Sequence, residues 1–353
     1  MPCPGKGGGG EVIEAMGLVK TFPGRGGLLG HEPVRALRGV DFSIPAGGAV
    51  SFIGESGCGK TTLGKILTGL ESYDGGTLAI DGQDVRRLPA GRRRAAFRRI
   101  QMVHQDPYAA LNPTRTVAQT LSDPLRMRAR ELSRDQSWID GRSEDLLRMV
   151  GLDPGFVLPR YPHMLSGGQR QRLVIARALT VDPDMLVADE AVSMIDVSLR
   201  LGILGLLREL RRELGIALLF ITHDVATARY IGQDGDLYVI YRGRVVEHGP
   251  TDVVIERPVH PYTQCLLSAI PVMRGLEDAG PERVMPVSDE MAEETPCLFA
   301  PRCPFATERC RTEVPPLSHS GGTPQEHACF YPVPRRVVPV DRPVTQVGAG
   351  PRG

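Results

Sequence analysis

Short runs of apolar residues alternate with helical patterns from residue 11 to residue 249. These runs predict strands, and the clearest of them are GAVSFIG (48–54), IQMVHQ (100–105), MLVADE (185–190) and IALLFIT (216–222). Helical patterns follow several of the strands. Because strands and helices alternate, the sequence predicts an α/β fold with a parallel sheet covered by helices.

The two ends of the chain depart from this pattern. Residues 1–10 are rich in glycine, and residues 333–353 are rich in Pro, Arg, Val and Gly without periodicity, so both segments are expected to be disordered tails. Proline becomes more frequent after residue 258, which predicts a domain boundary there. The expected domains are therefore residues 11–257 and a smaller C-terminal extension at residues 258–332.

Composition narrows the class of protein. The 353 residues include 42 Lys and Arg and 41 Asp and Glu, so the formal net charge is +1, and we expect no nucleic-acid partner. No apolar stretch approaches the roughly 18–20 residues of a membrane helix, and the N-terminus lacks the pattern of a secretory signal. We therefore expect a cytosolic or membrane-peripheral protein whose cysteines are thiols or metal ligands rather than disulfides.

GESGCGKT, at residues 54–61, matches the G-x-x-x-x-G-K-[ST] phosphate loop and lies between a predicted strand and a predicted helix. Its glycines let backbone amides surround phosphate groups, and the helix N-terminus adds partial positive charge. Lys60 is expected to reach the β and γ phosphates of a nucleotide, and the Thr61 hydroxyl to bind Mg²⁺. The predicted nucleotide-binding residues of this segment are Gly54, Glu55, Ser56, Gly57, Cys58, Gly59, Lys60, Thr61 and Thr62.

Two carboxylates end the apolar run MLVADE. Asp189 is predicted to bind Mg²⁺ through water, and Glu190 to polarise the water that attacks the γ-phosphate. His223 follows the next strand and is predicted to contact the γ-phosphate, because ligands in α/β sheets bind at the carboxyl ends of strands. The alternatives are solvated acids at a strand end and a structural histidine.

MLSGGQRQR, at residues 164–172, contains an LSGGQ element. Together with the phosphate loop, Gln105, Asp189, Glu190 and His223, it resembles the ATP-binding subunit of an ABC transporter. The resemblance covers residues 11–249. It implies a P-loop NTPase fold with a RecA-like core, an antiparallel β subdomain and a helical subdomain at about residues 110–170.

The resemblance also implies roles for individual residues. The LSGGQ residues would bind the γ-phosphate of the nucleotide on another subunit in a head-to-tail dimer. Gln105 would contact Mg²⁺ and sense the membrane subunits, Asp196 would cross the dimer interface, and Phe22 would stack on adenine. The LSGGQ residues assigned to this role are Ser166, Gly167, Gly168 and Gln169.

QDPYAALNP (105–113), HPYTQCLLSAIP (260–271) and the insert at residues 24–37 resemble the dipeptide/oligopeptide and nickel importer branch of this family. That branch implies a sister ATP-binding subunit, with a homodimer as the alternative, two transmembrane permeases and an extracytoplasmic solute-binding protein. The expected location is peripheral, at the cytoplasmic face of the cell membrane. The expected function is the ATPase motor for peptide import. Its alternatives are import of nickel or another solute, a soluble ABC ATPase outside transport, and a non-catalytic ATP-binding module.

Some positions differ from the pattern of the family. Ala191 stands where a proline usually follows the catalytic glutamate, Met194 and Ile195 replace Ala-Leu in the interface loop, and His104 replaces a Phe. Larger side chains in that loop are expected to weaken closure of the dimer. The residues that carry the chemistry are present, so an active ATPase is still expected.

Four cysteines lie close together in the C-terminal extension: Cys297, Cys303, Cys310 and Cys329. Their spacing differs from that of a zinc ribbon. Four thiolates suit Zn²⁺ or a [4Fe–4S] cluster, and reduced structural thiols are the alternative. The resemblance implies an iron–sulfur cluster in some members of the branch, and here such a cluster would be structural.

Seven arginines and no acid lie between Val85 and Gln105. The expected interpretation is a solvated helical face. Contact with anionic lipid is the alternative, and nucleic-acid binding is disfavoured by the neutral total charge.

Overall fold

The structure is a computed structural model that describes residues 11–24, 33–269, 284–287, 294–319 and 324–337. The chain divides into two compact units between Val245 and Val246, inside a strand. The predicted tail at residues 1–10 and most of the insert at residues 24–37 lie outside the described residues, as do residues 338–353.

Strands and helices alternate along the first unit. Its strands are β1 (Glu11–Phe22), β2 (Val34–Pro45), β3 (Ala49–Ile53), β4 (Gly75–Ile80), β5 (Gln83–Asp84), β6 (Ile100–Val103), β7 (Met185–Asp189), β8 (Ala217–Thr222) and β9 (Asp236–Tyr241). Its helices are α1 (Lys60–Leu67), α2 (Ala90–Arg98), α3 (Pro107–Ala110), α4 (Val117–Glu131), α5 (Gln136–Met149), α6 (Pro154–Val157), α7 (Gly167–Leu179), α8 (Val197–Leu214) and α9 (Val225–Gly232).

The parallel sheet of this unit runs in the order β9–β3–β8–β7–β6. Strands β3, β7 and β8 are buried along their whole length, which explains their nearly continuous apolar sequences. Asp189 at the end of β7 lies opposite Ile221 of β8, and Ala188 lies opposite Val103 of β6. The carboxyl ends of these strands therefore form one edge, and the predicted α/β fold is confirmed.

Alternate residues of the central strands enter two different cores. Leu186 and Phe220 belong to a cluster that includes the helices α4, α5, α7 and α8. Val187 and Leu219 belong to a second cluster, which includes α1 and the antiparallel sheet β2–β1–β4–β5. This separation follows from the two-residue period of a strand. The sheet thus has a helical layer on one face and the antiparallel sheet on the other.

Capping boxes define the starts of two helices in the helical layer. Thr116 and Gln119 form a reciprocal capping box at α4, and Ser166 and Gln169 form another at α7. Each box satisfies backbone amides that lack a partner inside the helix. Within the described part of the chain, no helix combines the length and hydropathy of a membrane span.

The arginine-rich segment includes α2, none of whose residues is buried. Arg98 pairs with Glu131 at 2.6 Å, Arg99 pairs with Asp184, and the guanidinium of Arg86 lies 3.9 Å from the ring centroid of Tyr73. The exposure of α2 agrees with the solvated helical face that the sequence indicates, and the structure adds ion pairs to it.

The second unit has shorter elements. They are β10 (Arg244–Pro250), α10 (Thr251–Glu256), α11 (Pro261–Ser268), α12 (Glu308–Thr312), β11 (Ser318–His319) and β12 (Glu326–His327). Strand β12 pairs antiparallel with β10 and with β11. Residues 333–337, where the predicted C-terminal tail begins, pack within this unit. Gln264 Nε2 donates to the carbonyl of Val333 at 2.7 Å, and the Arg335 guanidinium lies 4.5 Å from the ring centroid of Phe305.

A buried carboxylate organises the second unit. Glu247 of β10 accepts hydrogen bonds from the backbone amides of Val259 (2.8 Å) and His260 (3.0 Å) and from Gln325 Nε2 (2.9 Å). Burial raises its pKa to about 7 despite these donors. His260 Nδ1 accepts from the amide of Tyr262 at 3.0 Å, and burial lowers the pKa of His260 to about 3. The imidazole of His260 is therefore neutral.

Candidate functional site

The loop between β3 and α1 has glycines where a side chain would collide with the backbone. A Cβ atom on Gly54 would lie 2.2 Å from the carbonyl oxygen of Ile240, and one on Gly59 would lie 2.3 Å from that of Ala36. Gly59 also has a φ of 108°, in the region that glycine adopts readily. These glycines permit a tight loop at the N-terminus of α1, where backbone amides can bind phosphate oxygens.

Lys60 lies inside this loop and is 5% exposed. Its Nζ donates to the carbonyls of Gly54 at 2.7 Å and Glu55 at 2.9 Å. Phosphate oxygens can replace these carbonyls as acceptors. The buried Cys58 lies 3.5 Å from the same ammonium, and burial raises the pKa of its thiol although Lys60 opposes the shift. Ser56, Gly57 and Thr61 are exposed, and Thr62 is half-buried.

A carboxylate and a hydroxyl suited to Mg²⁺ meet beside the loop. Asp189 is 6% exposed, and the Thr61 hydroxyl donates to its Oδ1 at 3.3 Å. Burial raises the pKa of Asp189, and the neighbouring Glu190 also raises it, while Thr61 and Lys60 act in the opposite direction. A bound cation stabilises the charged form of a buried carboxylate such as Asp189. Carboxylate and hydroxyl oxygens are also the ligands that Mg²⁺ prefers.

Glu190 and His223 meet at the same edge of the sheet. His223 Nδ1 lies 3.0 Å from Glu190 Oε1. Glu190 has a φ of 48°, unusual for a residue with a side chain, and its amide donates to the carbonyl of Ile221 at 2.9 Å. His223 is well exposed, whereas Glu190 is largely shielded. The pair can hold and orient one polar group in front of the loop.

Gln105 follows β6 and is exposed. The register of β6 against β7 places the residues after Val103 beside the end of β7, where Asp189 lies. His104 is half-buried, and burial lowers its pKa while Asp189 opposes the shift. Gln105 thus lies on a segment next to Asp189, the carboxylate suited to Mg²⁺.

The LSGGQ element forms the N-terminus of α7. Ser166 is the N-cap, its Oγ accepts from the amide of Gln169 at 3.3 Å, and its own amide donates to Gln169 Oε1 at 2.9 Å. Ser166 and Gly167 are exposed, whereas Gly168 is buried. A Cβ atom on Gly168 would lie 3.3 Å from a side-chain carbon of Leu199. The exposed end of a 13-residue helix can bind an anion through its free amides.

Comparison with known proteins identifies the family. The model described as "ABC transporter" matches residues 37–193, and the model described as "Oligopeptide/dipeptide transporter, C-terminal region" matches residues 246–310. The di/tripeptide transport ATP-binding protein DppF of Pseudomonas aeruginosa is 42% identical over 308 residues, which cover 87% of this chain and 94% of that protein. This chain belongs to the ATP-binding subunits of ABC transporters.

Other relatives agree with this identification. The dipeptide transport ATP-binding protein DppF of Escherichia coli is 40% identical over 90% of this ABC subunit and 94% of its own length. A dimeric structure of the ATP-binding cassette MJ0796, in a post-hydrolysis state with ADP and Pi, superimposes with a TM-score of 0.59 at 28% identity. It covers 68% of the ABC subunit and 98% of its own chain. The expected family, fold and ATPase activity are therefore confirmed.

The unusual residues of the interface loop occupy different environments in the ABC subunit. Ala191 and Ile195 are buried, whereas Met194 is 64% exposed. Asp196 is exposed at the start of α8, and its carbonyl accepts from the amide of Leu199 at 2.9 Å. The expected effect of this loop on dimer closure stays a prediction.

Phe22 lies at the end of β1 and is half-buried, with Lys20 Nζ 5.0 Å from its ring centroid. Stacking of this ring on adenine stays a prediction.

The four C-terminal cysteines of the ABC subunit line one pocket, together with His260, Pro261 and Phe299. Burial raises the pKa of Cys303 to about 12 and that of Cys329 to about 11, and nearby cysteines add to both shifts. Among the residues that the structure describes, no group of three or more His, Cys, Asp or Glu side chains is arranged to hold a metal ion. The structure therefore does not show, among these residues, the expected iron–sulfur cluster or its zinc alternative, and the cluster stays a prediction.

Sequence reasoning missed the part played by Glu247. The only available signal was an acid within the apolar strand VVEHG, which is ambiguous because acids also end exposed strands. The aromatic and amide contacts between α7 and the segment at residues 104–110 were also missed, since they join residues far apart in sequence.

Proposed function

We propose that this ABC subunit couples ATP hydrolysis to the uptake of di- or oligopeptides through partner permeases. The supporting observation is that one chain combines a group of residues suited to ATP hydrolysis with the C-terminal region of peptide transporters. That group consists of the pairs Thr61–Asp189 and Glu190–His223. Residues 246–310 match the C-terminal region. The relatives named for dipeptide and di/tripeptide transport support peptides as the cargo.

ATP binding is assigned to the loop at residues 54–62. Its backbone amides and Lys60 bind the phosphates, as the buried position of the ammonium permits. Thr61, Asp189 and Gln105 are assigned to Mg²⁺, which when bound neutralises charge on the β and γ phosphates. Phe22 is assigned to the adenine ring.

Hydrolysis is assigned to Glu190 and His223. The Glu190 carboxylate accepts a hydrogen bond from the attacking water and aligns it with the γ-phosphorus. A carboxylate only accepts hydrogen bonds, so His223 Nδ1 donates to Glu190 Oε1 and fixes the direction of the carboxylate. Because phosphate oxygens also only accept, a contact between His223 and the γ-phosphate requires a second proton, on Nε2.

A second subunit is needed to complete each site. The start of α7, formed by Ser166, Gly167, Gly168 and Gln169, is assigned to the γ-phosphate of the nucleotide on the partner, and Asp196 to the interface. The sister ATP-binding subunit, two permeases and an extracytoplasmic solute-binding protein are the proposed partners. The subunit would be peripheral, at the cytoplasmic face of the membrane. The dimeric structure of the MJ0796 cassette supports the pairing of two ATP-binding subunits.

Uptake by the complete transporter tests the proposal. Proteoliposomes would contain the permeases, the sister subunit and the solute-binding protein, with this subunit as wild type, Glu190→Gln or Glu144→Gln. Glu144 is a matched control because it pairs with Arg148 on α5, away from the edge of the sheet. Glu190→Gln should abolish uptake of a labelled dipeptide, and Glu144→Gln should not. If Glu190→Gln lost uptake of ⁶³Ni²⁺ but not of the dipeptide, a peptide cargo would be contradicted. Full uptake of both solutes by Glu190→Gln would contradict the role of Glu190.

We also propose that the four C-terminal thiols hold a structural [4Fe–4S] cluster. They have the donor type and number that such a cluster takes, and they line a shared pocket, although they form no single-ion site. Iron and zinc analysis of anaerobically purified protein would test this, with Cys303→Ser as the variant and Cys265→Ser as the control. Iron lost only in Cys303→Ser would support the cluster, and equimolar zinc or no metal in the wild type would reject it.

A further inference from the structure

Three side chains of α7 contact the segment at residues 104–110, which carries Gln105. Gln171 Nε2 lies 3.4 Å from the carbonyl oxygen of His104, and Arg177 donates to the carbonyl of Ala110. Between them, the guanidinium of Arg170 lies 3.8 Å from the ring centroid of Tyr108. The segment is therefore attached to the helix near both of its ends and at its centre.

The burial of the central pair is unequal. Arg170 is 8% exposed although it is charged, whereas Tyr108 is 63% exposed. Arg170 Nε also lies 3.5 Å from the carbonyl oxygen of Ser166, the N-cap of α7. A shielded guanidinium is stabilised by the face of an aromatic ring. Because the ring of Tyr108 is mostly exposed, its contact with Arg170 is better explained by attachment of the segment than by filling of the core.

The contacts join two residues with proposed roles at two different nucleotides. Gln105 lies on the attached segment, and Ser166 begins the helix to which the segment is attached. We propose that Tyr108 and Arg170 are positioning residues that hold Gln105 in a fixed relation to Ser166. The metal-contacting glutamine and the serine of the LSGGQ element then move as one body. This inference rests on the proposed function, in which both residues contact nucleotide phosphates or their metal.

Loosening the pair should slow turnover without weakening ATP binding, because the loop at residues 54–62 is untouched. Tyr108→Leu removes the aromatic face and should lower the kcat of the assembled transporter about two- to five-fold, as expected for one cation–π contact. The KM for ATP should stay within twofold. Tyr108→Phe keeps the aromatic face and should restore wild-type kcat.

A double-mutant cycle with Arg170→Met separates the contact from other effects of each residue. If the pair acts as a unit, Tyr108→Leu should lower kcat in the wild type but should have no further effect in Arg170→Met. The matched control is the pair Phe156 and Arg160. The Arg160 guanidinium lies 3.5 Å from the Phe156 ring centroid, and Phe156 is 44% exposed. Phe156→Leu should leave kcat unchanged.

Several results would overturn the inference. These are additive effects in the cycle, failure of Tyr108→Phe to restore kcat, and a higher KM with unchanged kcat in Tyr108→Leu. Equal losses in Tyr108→Leu and Phe156→Leu would also overturn it. An inactive wild-type transporter would instead contradict the proposed function, so the two failures are distinguishable.

Discussion

His223 Nδ1 and Glu190 Oε1 lie 3.0 Å apart, although 33 positions separate the two residues in sequence. Their contact exists because β7 and β8 are parallel neighbours and both residues follow the carboxyl ends of these strands. The arrangement leaves the imidazole open to solvent while the carboxylate is shielded. A ligand at this edge would therefore meet His223 first, with Glu190 oriented behind it.

His223→Ala should lower kcat by about 10²-fold, because Glu190 loses the hydrogen bond that directs it and the γ-phosphate loses a contact. ATP affinity should change little, since Lys60 and the loop amides remain. ATPase assays and binding of a fluorescent ATP analogue would measure both quantities. His163→Ala is the control, because His163 is an exposed histidine stacked on Tyr161 at 5.6 Å. Equal activity of the two variants would contradict the assignment.

Asp189→Asn should raise the Mg²⁺ concentration needed for half-maximal ATPase activity by at least about tenfold. The variant replaces a charged ligand by a neutral amide beside Thr61, so the affinity for a divalent cation falls. A Mg²⁺ titration of the purified transporter would measure this. Asp140→Asn is the control, since the exposed Asp140 accepts a hydrogen bond from Gln136 on its own helix, at 2.8 Å. An unchanged Mg²⁺ midpoint in Asp189→Asn would show that Asp189 is not a metal ligand.

Ser166→Asp should separate the two roles of the N-cap of α7. Aspartate caps a helix as well as serine does, and its charge suits the helix N-terminus, so the free energy of unfolding should not fall. The same charge repels a γ-phosphate, and ATPase activity should be lost. Ser166→Ala should instead lose about 1 kcal/mol of stability. Urea unfolding and ATPase assays would measure these effects, and normal turnover by Ser166→Asp would contradict phosphate binding at this helix end.

Glu247→Gln should change how the stability of the second unit depends on pH. Burial raises the pKa of Glu247 from 4.5 to about 7, so the folded state holds a proton that the unfolded state has released. The contribution of this carboxyl to the free energy of unfolding is complete below pH 4.5 and is lost as the pH rises to about 7. The free energy of unfolding of the wild type should therefore fall by up to about 3 kcal/mol relative to Glu247→Gln across this range.

His260 acts with the opposite sign, because burial lowers its pKa to about 3 and its contribution is lost as the pH falls below 6.5. Both proteins carry His260, so the difference between them isolates Glu247. Hydrogen exchange of peptides from residues 246–269, compared at equal pH, would measure the local free energy of opening. Glu308→Gln, an exposed substitution at the start of α12, serves as the control. A difference that stays constant with pH would rule out a protonated Glu247.

The sequence by itself determined the local parts of this protein. The phosphate loop was readable because the glycines, Lys60 and Thr61 are contiguous, and each has a conformational or chemical reason at its own position. The buried strands were readable for the same reason. A capping box or an apolar run acts over a few residues, so local sequence is sufficient to specify it.

Only the tertiary structure decided which distant residues meet. The order of the parallel strands brought His223 to Glu190, and the packing of α7 brought Arg170 to Tyr108. It also showed that Glu247 is buried among backbone donors and that the C-terminal thiols line one pocket without forming a single-ion site. The physical reason is that contacts between distant residues depend on how whole strands and helices pack. That packing is a sum over many side chains, and no short sequence pattern specifies it.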